Sequence, residues 1–106
     1  METLSFVEFV QMYNGFAKRG TIVSLGEGAL RRLADWNTEG YSLLPAIIIR
    51  AFQQVQEEPF QSGAKMTLQI AAPLRFNGID AEKQFTVLCY YVSEFRYFFV
   101  SMISEQ

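Results

Sequence analysis

The 106-residue chain contains no histidine and a single cysteine, Cys89. Without histidine, the usual Ser-His and Cys-His nucleophile pairs are excluded, and so are most zinc sites. One thiol cannot form an internal disulfide or hold an iron–sulfur cluster, so we expect Cys89 to be a buried and inert apolar side chain. The sequence therefore predicts a protein that is not an enzyme and that holds no cofactor and no metal ion.

Charge is also scarce, since only 19% of the residues are charged and the formal net charge is -2. This balance gives no general electrostatic attraction to nucleic acid or to an anionic membrane. The longest apolar run, Leu43 to Ile49, is far shorter than the ~20 residues that a membrane span needs. Glu2 and Glu8 stand where a signal peptide would have a basic segment and then an apolar run. We therefore expect a cytoplasmic protein in a reducing compartment, with no membrane contact.

Apolar side chains are abundant, since 50% of the residues are hydrophobic and 15% are aromatic. A chain of this length and composition can bury one core, which predicts a single domain over residues 1–106.

The first segment carries the signals of an amphipathic helix. Ser5 and Glu8 have the spacing of a capping box, and Gly20 suits the position just after the last turn. Apolar residues recur at helical spacing and make one face: Phe6, Phe9, Val10, Tyr13, Phe16 and Ala17.

Two more helices are predicted before residue 60. A second S-x-x-E pattern, Ser24 to Glu27, predicts a helix that continues to Trp36. Ser42 is the expected N-cap of a third helix, which Pro59 would end. The residues between these two helices, 37–41, are expected to form a loop.

The second half of the chain predicts strands. Residues 65–70 alternate strictly between polar and apolar side chains, and one strand needs neighbours with which to pair. Residues 83–92 and 95–103 supply them, because they are rich in aromatic and β-branched side chains. Asn77-Gly78 is a hairpin-turn signal between the first two strands. The fold expected is α+β, with three N-terminal helices followed by a three-stranded antiparallel sheet.

An all-α fold with a long C-terminal helix is the alternative. Asp80 would be a good N-cap for that helix, and Ser93-Glu94 is poor hairpin chemistry because neither residue favours a positive φ. Several apolar residues also fall on a heptad spacing: Phe85, Leu88, Val92, Phe95, Phe99 and Met102.

The stretch 85–103 offers the main functional hypothesis. If it forms two strands, alternate side chains face opposite sides of the sheet. The side chains on both sides are mostly apolar, whereas a sheet with helices on one side only should have a polar outer face. Exposed apolar patches of a few hundred Å² usually mark interaction sites. We therefore expect a protein-interaction domain, of adaptor, inhibitor or immunity type, that forms a homodimer through one sheet face. The interface residues expected are Tyr90, Arg96, Phe98, Val100 and Met102.

Two other functions remain open from the sequence. A basic face could contact the phosphates of nucleic acid, and its residues would be Lys18, Arg19, Arg31 and Arg32. Alternatively, a small ligand could bind between the helices and the sheet, in a pocket lined by Tyr91, Tyr97 and Trp36.

Overall fold

The computed structural model describes residues 20–106. Within this range the chain forms two helices and five strands, with a short 3-10 turn at Ser93–Phe95. The elements are β1 (Ile22–Leu25), α1 (Glu27–Glu39), β2 (Tyr41–Ser42), α2 (Pro45–Glu57), β3 (Met66–Phe76), β4 (Ile79–Val92) and β5 (Tyr97–Glu105).

The strands form one curved, mixed sheet in the order β1-β5-β4-β3-β2. Strand β1 runs parallel to β5, with Ile22 opposite Tyr97, whereas every other neighbouring pair is antiparallel. The long β3–β4 ladder extends from Met66 opposite Cys89 to Phe76 opposite Ile79. The three longest strands are therefore consecutive in the chain, and the sheet is completed by two short strands from the first half.

Glycine and proline residues explain where the two helices begin or end. Helix α1 ends at Gly40, whose φ of 111° is left-handed, and the Gly40 amide donates to the carbonyls of Trp36 and Asn37. Helix α2 begins at Pro45, where the missing amide hydrogen costs no helical hydrogen bond. It stops at Glu57, two residues before Pro59.

The core lies between the two helices and one face of the sheet. The rings of Tyr91 and Phe98 lie 5.2 and 5.0 Å from the ring of Phe52, which projects from α2. Trp36 of α1 meets Phe85 of β4 edge to face at 5.2 Å. These aromatic pairs fix how each helix sits on the sheet.

Two turns set the register of the long strands. Asn77 and Gly78 have φ values of 49° and 84°, which is the geometry of a tight hairpin turn with two positive φ angles. The second connection is longer: the 3-10 turn is followed by Arg96, which takes a φ of 50°. A bulge between Leu88 and Cys89 then shifts the register of β4 against β5.

The expected fold is wrong as a whole and correct in some of its parts. The strands predicted near 65–73, 83–92 and 95–103 are present as an antiparallel meander, and the Asn77-Gly78 turn is confirmed. The sheet, however, has five strands and is mixed, so the three-stranded antiparallel sheet is wrong, and the all-α alternative is wrong too. The first predicted helix lies outside the described residues.

The largest local error concerns residues 22–25. Ser24 was expected to cap a helix, but it lies in β1, and α1 begins only after Gly26. The backbone of β1 is held by β5, with the Ile22 amide donating to the Arg96 carbonyl at 2.8 Å. Pairing with a strand that is distant in the chain has outweighed a local capping pattern.

Candidate interaction face

The sheet has a second face, opposite the helices, that remains apolar along part of its width. Alternation places Phe85, Val87 and Cys89 of β4 in the core, with at most 3% of each side chain exposed. Their neighbours on the same strand point the other way. Together with their counterparts on β1 and β5 they form what we call the aromatic face: Ile22, Leu88, Tyr90, Val92, Tyr97, Phe99 and Met102.

Three rings form a row at the centre of the aromatic face. Tyr90 and Phe99 are directly opposite each other on β4 and β5, and their rings stack with centroids 5.2 Å apart. Tyr97 stacks on Phe99 at 6.5 Å and lies 6.2 Å from Tyr90. Cross-strand aromatic pairs of this kind stabilise the sheet. The three residues are half-buried, so part of their rigid ring surface remains open to solvent.

Aliphatic side chains enlarge the row on both sides. The exposed fraction is 60% for Ile22 and 39% for both Leu88 and Met102. The buried side chains of both helices cluster with the opposite face of the sheet, although Met102 also lies against Gly28 in the first turn of α1. Large apolar side chains therefore lie side by side on the aromatic face, three of them exposed and the other four half-buried.

A shallow cavity of about 450 Å³ opens beside the row. Its walls include Thr67 of β3, Leu88 and Tyr90 of β4, and Phe99 and Ser101 of β5. Ser101 lies where the bulge shifts the register, and its hydroxyl donates to the Leu88 carbonyl at 3.1 Å. The bulge thus creates a recess that could receive an apolar side chain from a docked chain.

Polar groups border the aromatic face at the end where β5 begins. Glu94 accepts hydrogen bonds from the hydroxyls of Ser93 at 2.9 Å and Ser62 at 3.2 Å. These bonds, that from Ser62 first, hold the pKa of the Glu94 carboxyl below its usual value. The exposed Arg96 follows in the chain, so an acidic and a basic side chain stand next to the rings.

The structure separates the five residues that were expected at the interface. Tyr90 and Met102 lie on the aromatic face, and Arg96 lies at its border. Phe98 and Val100 have no exposed surface and belong to the core, so placing them on the same face as Tyr90 was wrong. The reason is register: the partner of Tyr90 is Phe99, while Phe98 is opposite the core-facing Tyr91.

Most of the aromatic face is absent from the interface residues that the sequence predicts. Tyr97 and Phe99 were assigned to the other side of the sheet, and Ile22 was not placed on a strand. The signal for Tyr97 and Phe99 was present in the sequence, because they alternate with Phe98 and Val100. The number of residues in the 93–96 connection decides which of these two pairs faces the same side of the sheet as Tyr90. No sequence pattern specifies that number.

The described part of the expected basic face is already engaged within α1. Arg31 forms an ion pair with Glu27 at 3.4 Å, one turn earlier in the helix. The guanidinium of Arg32 lies over the Trp36 ring, 4.8 Å from its centroid. Lys18 and Arg19 lie outside the described residues. Both arginines of this face therefore have a partner within their own helix.

The expected small-ligand pocket is not formed by its three residues. Trp36 and Tyr91 pack against the core on the helix side of the sheet, whereas Tyr97 lies on the aromatic face. In residues 20–106, moreover, no three acidic or cysteine side chains converge as metal ligands. Nor is any helix of this range long and apolar enough to cross a bilayer.

We compared the chain with known protein families, curated proteins and solved structures. No protein family, no curated protein and no solved structure matches the chain.

Proposed function

We propose that the protein is a small, non-enzymatic interaction domain, of adaptor, inhibitor or immunity type, that works through the aromatic face. The observation that supports this is the row of Tyr90, Phe99 and Tyr97 on the sheet face that the two helices leave uncovered. Tyrosine is enriched among the residues that dominate binding energy, because a large rigid ring loses little conformational entropy on docking. Polar groups at the border, such as Glu94 and Arg96, would fix the orientation of a partner.

A second copy of the chain is the partner that we propose, in a cytoplasmic homodimer. A two-fold axis brings the same patch of both subunits together, so the patch must complement itself. Stacked rings meet this condition, since aromatic surfaces pack well on other aromatic surfaces. Glu94 and Arg96 are two residues apart in the turn that precedes β5, so an antiparallel arrangement of two faces could set each acid against the other copy's base.

Charge introduced into the row should disrupt this dimer. We expect Tyr90→Glu to weaken self-association roughly 30-fold or more, the effect of losing an interface anchor worth about 2 kcal/mol. The matched control is Gln56→Glu, which adds the same charge at an exposed position of α2, on the other side of the molecule. Light scattering and analytical ultracentrifugation over a dilution series would measure both variants beside the unchanged chain.

Two results would contradict self-association through the aromatic face. A chain that stays monomeric up to the highest soluble concentration does not use the aromatic face for self-association. Equal weakening by Tyr90→Glu and Gln56→Glu would place the contact elsewhere.

A further inference from the structure

Strand β3 has an outer edge that the other described strands cover only at one end. In the sheet, β3 lies between β4 and β2, and β2 reaches only Arg75 and Phe76. Within residues 20–106, the side of β3 that faces away from β4 therefore has no strand partner from Met66 to Leu74. An edge of this kind can accept a further strand.

We propose that this open edge, residues 66–72 of β3, binds an extended segment of a partner protein, which adds to the sheet as an additional antiparallel strand. The segment is strand-forming and carries an apolar side chain opposite Thr67. This inference goes beyond the proposed homodimer, because it concerns the edge of the sheet and the homodimer concerns its aromatic face.

The first argument is the direction of the backbone hydrogen-bonding groups. The Arg75 carbonyl faces β2, where it accepts a hydrogen bond from the Ser42 hydroxyl. Backbone groups alternate in direction along a strand, and β3 pairs with β4 in one unbroken register. Thr67, Gln69 and Ala71 therefore present their amides and carbonyls at the same edge as Arg75. These groups are aligned for an added strand, which would pair with them as β4 pairs on the other side.

The second argument is that the open edge lacks the features that prevent strand pairing. Exposed edges are commonly protected by charged side chains, by proline or by a bulge. Residues 66–72 read MTLQIAA, with no charge and no proline, and their pairing with β4 shows no bulge. Protection begins at Pro73, which has no amide hydrogen, and continues at Arg75, which pairs with β2. The open edge is thus about as long as an ordinary strand.

The third argument identifies the partner as an isolated segment rather than a second copy. Helix α2 packs chiefly on β3. A two-fold axis that paired two β3 edges would put both α2 helices on the same side of the joined sheet, over strands only ~4.8 Å apart. Packed helices need about 8–10 Å between their axes. A bare extended segment brings no helix, so it can approach the edge where a folded copy cannot.

The cavity beside the row of rings determines the side chain that the segment would offer. Thr67 and Leu88 both line this cavity and are opposite each other on β3 and β4. In an added strand, the residue opposite Thr67 points to the same side of the sheet and therefore lies next to the cavity. Tyr90 and Phe99 form part of its wall, so an apolar side chain fits there. Main-chain hydrogen bonds would give affinity, and this contact would give specificity.

A synthetic strand tests the edge in the full chain. The probe is an end-blocked peptide of about nine residues, in which threonine alternates with valine or leucine. Hydrogen exchange read by NMR should show the Thr67, Gln69 and Ala71 amides exchanging fast in the chain alone. With the probe bound nine-tenths of the time, their exchange should be about ten-fold slower. The Leu68 and Ile70 amides face β4 and should be protected in both states.

Matched probes and variants provide the contrast. With valine and leucine on the cavity side, their amides face β3, so N-methylation of these residues should abolish binding, whereas N-methylation of the threonines should not. Gln69→Pro removes the central donor of the open edge without removing a hydrogen bond to β4, and should weaken binding about ten-fold. Gln69→Val keeps that donor and should bind like the unchanged chain. Circular dichroism would verify that both variants fold.

The outcomes decide both the edge and its occupant. Fast exchange that is slowed by the unmodified and the threonine-methylated probes, and not by the third, supports strand addition. Slow exchange in a monomeric chain without probe overturns the proposal, because the edge amides are then already paired. So does an absence of slowing at ~1 mM probe, or an equal effect of both methylated probes. Slowing that grows with protein concentration alone would put a second copy at the edge. The homodimer is judged by light scattering without probe, so either proposal can fail alone.

Discussion

At the scale of single residues, Cys89 shows how position in the sheet sets chemistry. Its side chain is 3% exposed, and burial raises the pKa of the thiol to about 11. The thiolate is the reactive form, so the folded protein keeps Cys89 in its unreactive form at neutral pH. The expectation of a buried thiol is therefore confirmed.

Labelling of Cys89 should depend on unfolding. At pH 8 we expect reaction with a thiol reagent to be slow in the folded chain and fast in denaturant. The folded pKa lies above the unfolded value of about 8.5, so the unfolded chain loses its proton first and the free energy of unfolding falls between about pH 8.5 and 11. Cys89→Ala lacks this contribution, and its stability relative to the unchanged chain should rise across that window. Fast labelling of the folded chain would contradict the burial.

The contribution of Glu94 to the free energy of unfolding should depend on pH in the opposite sense to that of Cys89. Its folded pKa is lowered, chiefly by the hydrogen bond from Ser62, so the carboxylate stabilises the fold above its unfolded pKa of about 4.3. This stabilisation is lost as the pH falls through the folded pKa. Thermal melts should therefore show Glu94→Gln less stable than the unchanged chain at pH 7, and the difference should shrink as the pH falls through the folded pKa of Glu94. The control Glu58→Gln removes an exposed carboxylate just after α2, and an identical pH profile there would refute the role of Glu94.

At the scale of elements, the start of α1 depends on a close approach to β5. A Cβ atom added to Gly26 would lie 3.2 Å from both the Cα and the carbonyl oxygen of Ser101, which are backbone atoms. One added to Gly28 would be 2.6 Å from the terminal methyl of Met102, which can move, and 3.3 Å from the Ser101 carbonyl oxygen, its one close backbone contact among the three nearest atoms. The two glycines of the same helix start therefore differ in what they tolerate.

Alanine substitutions at Gly26 and Gly28 should differ in how much they lower the free energy of unfolding. We expect Gly26→Ala to cost about 1–3 kcal/mol, as overpacking against a fixed neighbour does. Gly28→Ala should stay within about 1 kcal/mol of the unchanged chain, because better helix propensity offsets the shift of Met102. Urea titrations would measure both, and equal costs would mean that β5 does not constrain the start of α1.

The elements that were predictable are those whose signals are local. Alternation over 65–70 and the Asn77-Gly78 turn specify the β3–β4 hairpin without reference to the rest of the chain. Strands β1 and β2 have only four and two residues, which is too short to show a period. Both are defined by hydrogen bonds to distant strands. From the sequence, Ser24 and Ser42 are instead expected to cap helices, and Tyr41 is expected in a loop.

At the scale of the whole molecule, the presence of a partly exposed apolar sheet face was predictable from the sequence, but the residues that form it were not. The excess of apolar residues in 85–103 indicated that one side of the sheet would lack cover, and Tyr90 was placed there. Phe98 and Val100 were not separable from Tyr97 and Phe99 by composition, because all four are apolar. To assign these four residues to a sheet face, one must know the register of β5 against β4, which the turn at Ser93–Phe95 sets.

The parallel pairing of β1 with β5 also orders the assembly of the fold. Residues 22–25 have no strand partner until residues 97–100 are available, so during synthesis β1 must wait while nearly all of the described chain emerges. The β3–β4 hairpin, which is local in sequence, can form long before that. Within residues 20–106, folding would thus proceed from the middle outwards, and the last event would be the docking of β1, the first of the described strands. Until then, the apolar side chains of both sheet faces would be accessible to chaperones or to aggregation.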